Sequence, residues 1–207
     1  MTPFRTPRLR RFLPRLLLAA ALAVGLAGTA LSADPPGWTV EPDVDPPSYA
    51  TVQPLATALN IDSVVLACEA MAGVRVLQLQ LYLTDDGPLR PIDPMRRLED
   101  DPRAVLVIDG ATFPASLLFS EDHVVVADSR EGFVPRLSEA LLDALQAGSR
   151  MTLRVPLLDG RTGTRRASDG DTVVDLQAGG GHDAVAALRR CTRPGSDRRE
   201  PTPVASL

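Results

Sequence analysis

The stretch RVLQLQLYL, residues 75–83, indicates the fold class of this chain. Leucine occupies every second position from Leu77 to Leu83, and two glutamines and a tyrosine fill the positions between them. Because successive side chains of a β-strand point to opposite faces of a sheet, this alternation predicts a strand with one buried face and one solvated face. The strand is therefore expected to lie in a sheet that covers a hydrophobic core.

Apolar runs on both sides of this strand predict the rest of the sheet. The run 64–67 precedes the turn sequence at 71–73, which predicts an antiparallel partner strand. Further strands are predicted at 104–108, 112–119, 123–127, 151–157 and 172–176. Asp109-Gly110 suits the positive φ angles of a type I′ hairpin turn. Pro114 predicts that its strand lies at a sheet edge or carries a bulge.

Two segments change to a helical period. In residues 136–147 leucine recurs every four positions and Gly148 follows, which predicts an internal helix. A second helix is predicted from Asp183 to Arg190 or Cys191. Its inner stripe contains Ala184, Ala187, Leu188 and Cys191. These patterns predict a mainly β, α+β fold, namely an antiparallel β-sandwich-like domain with one internal helix and one C-terminal helix.

The N-terminus has the layout of a secretory signal. Five arginines precede an apolar run at 16–31, and Asp34 is the first acidic residue. The run is shorter than the roughly 20 residues that a membrane-spanning helix needs, and it ends in small residues. Residues 1–33 are therefore predicted to be a signal peptide cleaved after Ala33, with Ala30 as the other option. We expect a periplasmic or secreted protein without stable membrane insertion after cleavage.

Loss of this segment would make the protein more acidic. The complete chain has 22 basic and 26 acidic residues, and residues 1–33 contain five arginines and no acid. The exported form would keep 17 basic and 26 acidic residues, a net charge of −9. Binding to nucleic acid through its phosphates favours a basic surface, so the predicted partners include no nucleic acid.

Proline content predicts how the exported chain is divided. Residues 34–54 contain six prolines, which is typical of an extended leader. Trp38 lies in this leader and is expected either to dock on the domain or to stay exposed and bind a partner. Docking is the favoured outcome. Residues 55–191 are predicted to form a single β-rich domain. The polar residues 192–207 are predicted to be a disordered tail.

The two cysteines of the chain are Cys68, in the first predicted core strand, and Cys191, on the inner stripe of the last helix. An exported protein meets an oxidising compartment, where cysteines form disulfides. We expect a Cys68–Cys191 disulfide that ties the start of the domain to its end. Two free buried thiols are the alternative.

No residue pattern specifies a reaction, a cofactor or a metal. The glycine run 179–181 lacks the lysine of a phosphate-binding loop, and it is not part of a repeated calcium-binding array. His123 and His182 are the two histidines, and no G-x-S-x-G motif accompanies them. Together with the cysteines they lack the paired spacings of a zinc site. The sequence therefore predicts no catalytic, cofactor-binding or metal-binding residue.

Several short segments resemble known exported proteins when they are taken together. They are Trp38, Leu81-Tyr82-Leu83 followed by Gly87-Pro88-Leu89, and residues 107–110, 141–148 and 184–188. In this combination the chain resembles invasion-associated locus B proteins. Through Leu188-Arg189-Arg190-Cys191 it also resembles accessory proteins of type VI secretion. The likeness spans roughly residues 62–191 and implies an exported β-sandwich-like domain with a packed terminal helix, and it supplies no known catalytic residues to carry over to this chain.

Two functional hypotheses follow from the sequence. The first is a non-enzymatic envelope protein that binds or scaffolds an unknown protein partner, because a catalytic pattern is missing and the leader is rich in proline. The second is a periplasmic hydrolase that uses His123 or His182 as its base.

Overall fold

The leucine-rich stretch forms a central strand of the protein, Val74–Leu83. The computed structural model describes residues 37–71, 73–84, 87–89, 102–157 and 170–193. The predicted signal peptide 1–33 and the predicted tail beyond residue 193 lie outside the described residues. The connection at 90–101 and the loop at 158–169 lie outside them as well.

The described residues contain twelve strands in two antiparallel sheets. The strands are β1 (Thr39–Val40), β2 (Tyr49–Val52), β3 (Ala56–Thr57), β4 (Ile61–Met71), β5 (Val74–Leu83), β6 (Arg103–Ile108), β7 (Ala111–Phe119), β8 (His123–Ala127), β9 (Ser129–Glu131), β10 (Val134–Arg136), β11 (Arg150–Arg154) and β12 (Asp171–Asp175). Ten of them form one curled sheet in the order β1-β2-β4-β5-β8-β7-β6-β11-β12-β3. Strands β9 and β10 form a separate hairpin.

Helices α1 (Glu139–Ala147) and α2 (Gly181–Arg189) complete the described part of the chain. A 3-10 turn, Arg190–Thr192, follows α2. The mainly β, α+β prediction is confirmed. Among the described residues, neither helix has the length and apolar character needed to cross a bilayer.

The internal helix begins later than predicted. The sequence pattern places its start at Arg136, but Arg136 belongs to β10 and the helix begins at Glu139. Ser138 is its N-cap, because the Ser138 hydroxyl accepts a hydrogen bond from the backbone N–H of Leu141. Asp128 holds this cap in place by accepting hydrogen bonds from both the N–H and the hydroxyl of Ser138. The helix therefore begins directly after the Ser138 cap, although the four-residue spacing of leucines extends back to Leu137.

The core lies against the leucine face of β5. Leu77, Leu79 and Leu81 are buried and lie opposite Cys68, Leu66 and Val64 of β4. The two helices contribute further buried leucines at 141, 145 and 188. The predicted buried face of the strand is therefore confirmed.

The opposite face of β5 differs from the prediction. Gln78 and Gln80 are expected in solvent, yet their exposed fractions are 3% and 4%. The side-chain amide of Gln78 donates to the carbonyl oxygen of Pro135 in β10 at 2.7 Å. Gln80 donates to Glu69 of β4 at 3.0 Å. The solvated-face prediction is wrong for both glutamines, because other parts of the chain supply their hydrogen bonds.

The proline-rich segment contributes β1 and β2 to one end of the large sheet, and the residues that directly follow it contribute β3 to the other end. Strand β2 pairs with β4 near one end, and β3 pairs with β12 at the other end. Only residues 53–55 separate β2 from β3 along the chain. A link of this length spans at most about 14 Å. The two ends of the sheet must therefore lie close together, which accounts for its curl.

The β6–β7 hairpin has the predicted turn. Asp109 and Gly110 have φ values of 47° and 93°, and the flanking residues Ile108 and Ala111 pair directly. Strand β7 lies between β6 and β8, so the prediction of an edge strand is wrong for the strand as a whole. Pairing with β8 begins only at Ser116. Pro114 therefore lies where a missing N–H interrupts no pairing with β8.

Trp38 docks on the domain, as favoured from the sequence. It is buried, and its indole N–H donates to the carbonyl oxygen of Asp175 at 3.1 Å. Its backbone N–H donates to Ala178 at 3.2 Å. A Cβ atom on Gly181 would lie 2.6 Å from the Trp38 ring. This close approach explains a glycine at the first position of α2.

The two cysteines form the predicted disulfide. The Cys68–Cys191 bond joins β4 to the 3-10 turn after α2, across 123 positions of sequence, with the two Cα atoms 6.4 Å apart. It fixes the end of the C-terminal helix to the core side of the β4–β5 hairpin.

Candidate functional site

A groove with a volume of 670 Å³ lies on the outer face of β2, β4 and β5. The register places Tyr49 opposite Ala67 and Val65 opposite Gln80, so these four side chains share one face of the sheet. Val65, Ala67 and Gln80 are buried at its base, whereas Tyr49 is 40% exposed. The groove is also lined by Pro46, Pro47, Glu69 and Tyr82. It therefore combines aromatic and proline walls with a polar and apolar base.

Three polar side chains form a hydrogen-bonded relay beside this base. Gln80 Nε2 donates to Glu69 Oε1 at 3.0 Å and to Gln78 Oε1 at 3.5 Å. Gln78 Nε2 in turn donates to the carbonyl oxygen of Pro135 at 2.7 Å. In the register of β4 and β5, Glu69 and Gln80 lie on either side of the Ala67–Gln78 pair. The side chains of Glu69 and Gln80 therefore meet across this pair on the outer face of the sheet. The relay fixes the position of Gln80 in the groove.

Tyr82 forms one wall of the groove and stacks on a histidine outside it. The ring centroids of Tyr82 and His123 are 5.5 Å apart with an interplanar angle of 27°. Asp122 Oδ1 lies 2.6 Å from His123 Nδ1. Burial, followed by the negative charges of Asp122 and Glu69, raises the pKa of Tyr82 above its ordinary value. The phenol therefore stays neutral and can donate a hydrogen bond at neutral pH.

The second histidine has a different environment. His182 lies in the first turn of α2, and its Nε2 lies 2.9 Å from the carbonyl oxygen of Gly148, the C-cap residue of α1. Because a carbonyl oxygen only accepts, Nε2 carries the proton in this contact. His182 thus links the end of α1 to the start of α2. Neither histidine lines the groove, and the structure does not bring the two together.

The other motifs considered from the sequence contribute no further polar cluster. Gly179 and Gly180 have φ values of 56° and 85°, and a Cβ atom on Gly179 would lie 2.6 Å from the Cα atom of Gly37. The glycine run is therefore explained by its turn and by its packing against the segment that contains Trp38. Within the described residues, no group of three or more histidine, cysteine, aspartate or glutamate side chains is arranged to hold a metal ion.

Sequence reasoning did not find the groove. Its residues come from β2, β4 and β5, from residues 46–48 before β2 and from the 3-10 turn that contains Cys191, and they form no recognisable motif. The available signal was the glutamine pair at positions 78 and 80, because uncharged amides on a strand face often have partners inside the protein. The location of Glu69, 11 positions before Gln80, could not be related to it without the register of β4 and β5.

Comparison with known proteins identified no relative. No protein-family model, no curated protein and no solved structure matches this chain.

Proposed function

We propose that this chain is an exported, non-enzymatic module of the cell envelope that binds a segment of another protein in the groove beside Tyr49 and Tyr82. The observation that carries the proposal is the composition of the groove. Tyrosine and proline walls surround a base in which Gln80 is held by its own hydrogen bonds. Tyrosine is enriched at protein interfaces because its ring provides a large contact area and its hydroxyl a hydrogen bond.

Export is supported by two independent features. The N-terminal layout of arginines, apolar run and small residues is typical of a secretory signal. The Cys68–Cys191 disulfide is compatible with an oxidising compartment, where such bonds persist.

A rigid scaffold supports binding rather than a chemical step. The base of the groove lies on strands whose inner residues are packed in the core, and the disulfide closes one end of it. Preorganised surfaces lose less conformational entropy when a partner binds. The polar side chains that line the groove carry an amide, a carboxylate, two phenols, three aliphatic hydroxyls and the guanidinium of Arg75, and these groups suit hydrogen bonding to a polypeptide.

Site-specific photo-crosslinking in cells tests this function. With a photoreactive phenylalanine derivative at position 49, we expect a discrete crosslinked protein. The same substitution at Thr112, which is exposed on β7 and does not line the groove, should give none. For the partner in purified form, Tyr49→Ala should weaken binding by about tenfold or more, as for a tyrosine at the centre of an interface. Equal crosslinking at both positions, or none at either, would contradict the proposal.

One observation favours the hydrolase as a second candidate. Asp122 and His123 lie 2.6 Å apart, as do the orienting carboxylate and the base of a catalytic triad. Ser120 contacts His123 through its backbone N–H, which donates to the carbonyl oxygen of His123 at 2.9 Å. Within the described residues, no serine or threonine hydroxyl is hydrogen-bonded to either histidine ring.

A screen with chromogenic esters, peptides and glycosides separates the two candidates. We expect the wild type to match the His123→Ala and His182→Ala variants in every assay, because in the described part of the chain neither ring is hydrogen-bonded to a serine or threonine hydroxyl. His182→Ala should lower stability by about 1 kcal/mol through the lost hydrogen bond to Gly148. Turnover by the wild type that His123→Ala abolishes would establish the hydrolase instead.

A further inference from the structure

We infer that the groove binds an arginine side chain of the partner segment, held by the side chains of Gln80 and Glu69. This inference rests on the proposed function, in which the groove binds a polypeptide. It identifies the chemistry that the partner must present at the centre of the contact.

The first step is the orientation of the two glutamine amides. The carbonyl oxygen of Pro135 can only accept, so the NH₂ group of Gln78 faces it and Gln78 Oε1 faces Gln80. The carboxylate of Glu69 also only accepts in its ionised form, so the NH₂ group of Gln80 faces Glu69. Both hydrogens of Gln80 Nε2 are then used, one by Glu69 and the other by Gln78.

Two oxygen atoms of the relay remain available to accept hydrogen bonds. Among the described residues, Gln80 Oε1 and Glu69 Oε2 have no hydrogen-bond partner. The Gln80 side chain is buried, and it lines the groove together with Glu69. Within the described ranges, Arg136 Nε is the one fully buried side-chain polar atom without a hydrogen-bond partner, so these two oxygens are accessible from the groove rather than sealed in the core. The base of the groove is therefore suited to a ligand that donates hydrogen bonds.

The charge of the site favours a cation among possible donors. Glu69 contributes a carboxylate inside the groove, and Asp122 lies beyond Tyr82. Both acidic groups act on the Tyr82 phenol, so the potential at this wall is negative. A hydrogen bond from a cationic donor to a carboxylate is stronger than one between neutral groups.

The protein's own Arg75 also lines the groove, but its positive charge does not cancel the negative charge at the base of the groove. Arg75 lies opposite Ala70 in the register, one position from the Glu69–Val76 pair. Because side chains alternate along a strand, Arg75 belongs to the face of the hairpin that carries Cys68 and Leu77. It reaches the groove near the disulfide end, whereas Gln80 and Tyr82 lie further along β5.

Arginine fits this site better than lysine does. Its planar guanidinium carries five N–H donors, so one side chain can donate to a carboxylate and to a neighbouring carbonyl oxygen at the same time. It also stacks on aromatic rings, and Tyr49 and Tyr82 both line the groove. A lysine ammonium would interact with Glu69 as a point charge without this planar match.

Titration with a single capped residue tests the inference on the intact protein. The probe is N-acetyl-arginine methylamide, and its citrulline analogue has the same shape without the charge. By NMR we expect the arginine probe to shift the side-chain amide of Gln80 and the ring signals of Tyr82. The citrulline probe should bind at least about tenfold more weakly.

Glu69→Gln provides the matched variant. Glutamine at this position keeps an oxygen that can accept from Gln80, so the relay and the fold should persist while the charge is lost. Affinity for the arginine probe should fall about tenfold. Asp183→Asn removes an exposed charge on α2 that does not line the groove, so it should leave the affinity unchanged.

The outcomes separate this inference from the proposed function. Equal binding of the arginine and citrulline probes, no effect of Glu69→Gln, or no shift at Gln80 up to the solubility limit would overturn the arginine site. Crosslinking at position 49 would still support a protein-binding groove in those cases. If the arginine probe binds as expected and no crosslink forms at position 49, the protein-binding function fails while the cation selectivity of the groove stands.

Discussion

Replacing Cys68 and Cys191 together by alanine is expected to lower the free energy of unfolding by about 5 kcal/mol, because the disulfide closes a very long loop in the unfolded chain. The bond spans 123 positions of sequence, and the entropy that a cross-link removes from the unfolded state grows with loop length. Domains are typically stable by about 5–15 kcal/mol, so this change could remove much of the total.

Urea unfolding followed by circular dichroism measures this effect. For a dependence of about 2 kcal/mol per molar urea, the midpoint of the double variant should be about 2.5 M lower. A reducing agent should bring the wild type close to the variant and leave the variant unchanged. A midpoint difference below about 0.5 M, equivalent to about 1 kcal/mol, would show that the cross-link constrains the unfolded chain little.

Replacing Trp38 by alanine is expected to destabilise the protein by about 3–5 kcal/mol, the usual cost of removing a large buried aromatic ring. Trp38 is buried and packs against the start of α2, where Gly181 leaves room for its ring. The substitution also removes the donor to the carbonyl oxygen of Asp175. Both losses weaken the attachment of the proline-rich segment to the rest of the domain.

Two further variants make this result specific. Trp38→Phe keeps an aromatic ring and should lose less stability than Trp38→Ala. Phe133→Ala removes an aromatic side chain that is 100% exposed at the tip of the β9–β10 hairpin, so its unfolding midpoint should match the wild type. If Trp38→Ala also matched the wild type, burial of the Trp38 ring would not contribute to the stability of the domain.

The fold could be predicted where the pattern along the chain is local and strong. The alternation at 75–83 and the apolar runs at 104–108 and 123–127 are each sufficient to indicate a strand. Asp109-Gly110 indicates the turn that joins β6 to β7. Strands β1, β2 and β3 have two to four residues each and lie among prolines, so no periodicity marks them. They are strands because β1 pairs with β2, β2 with β4 and β3 with β12, and sequence patterns do not reveal these pairings.

The candidate site could be predicted far less well than the fold. The alternation along β5 shows which residues share a face, but it does not show what covers that face. Gln78 is buried because Pro135, 57 positions away, accepts its hydrogen bond. The Cys68–Cys191 pairing could be expected because the chain has one possible pair. By contrast, each member of the relay of Gln78, Gln80 and Glu69 could form hydrogen bonds with many other residues, so the sequence does not identify their partners.

The pairing of β3 with β12 has a consequence for the order in which the protein assembles. Thr57 and Thr172 share a hydrogen bond across 115 positions, so β3, at one end of the sheet, is synthesised early and its partner β12 late. A ribosome releases the chain from its N-terminus, and residues 56–57 must wait for β12 before they can pair. Contacts between distant positions slow folding. Strand β3 is thus made early and paired late, and until it pairs the edge of β12 stays open to other chains.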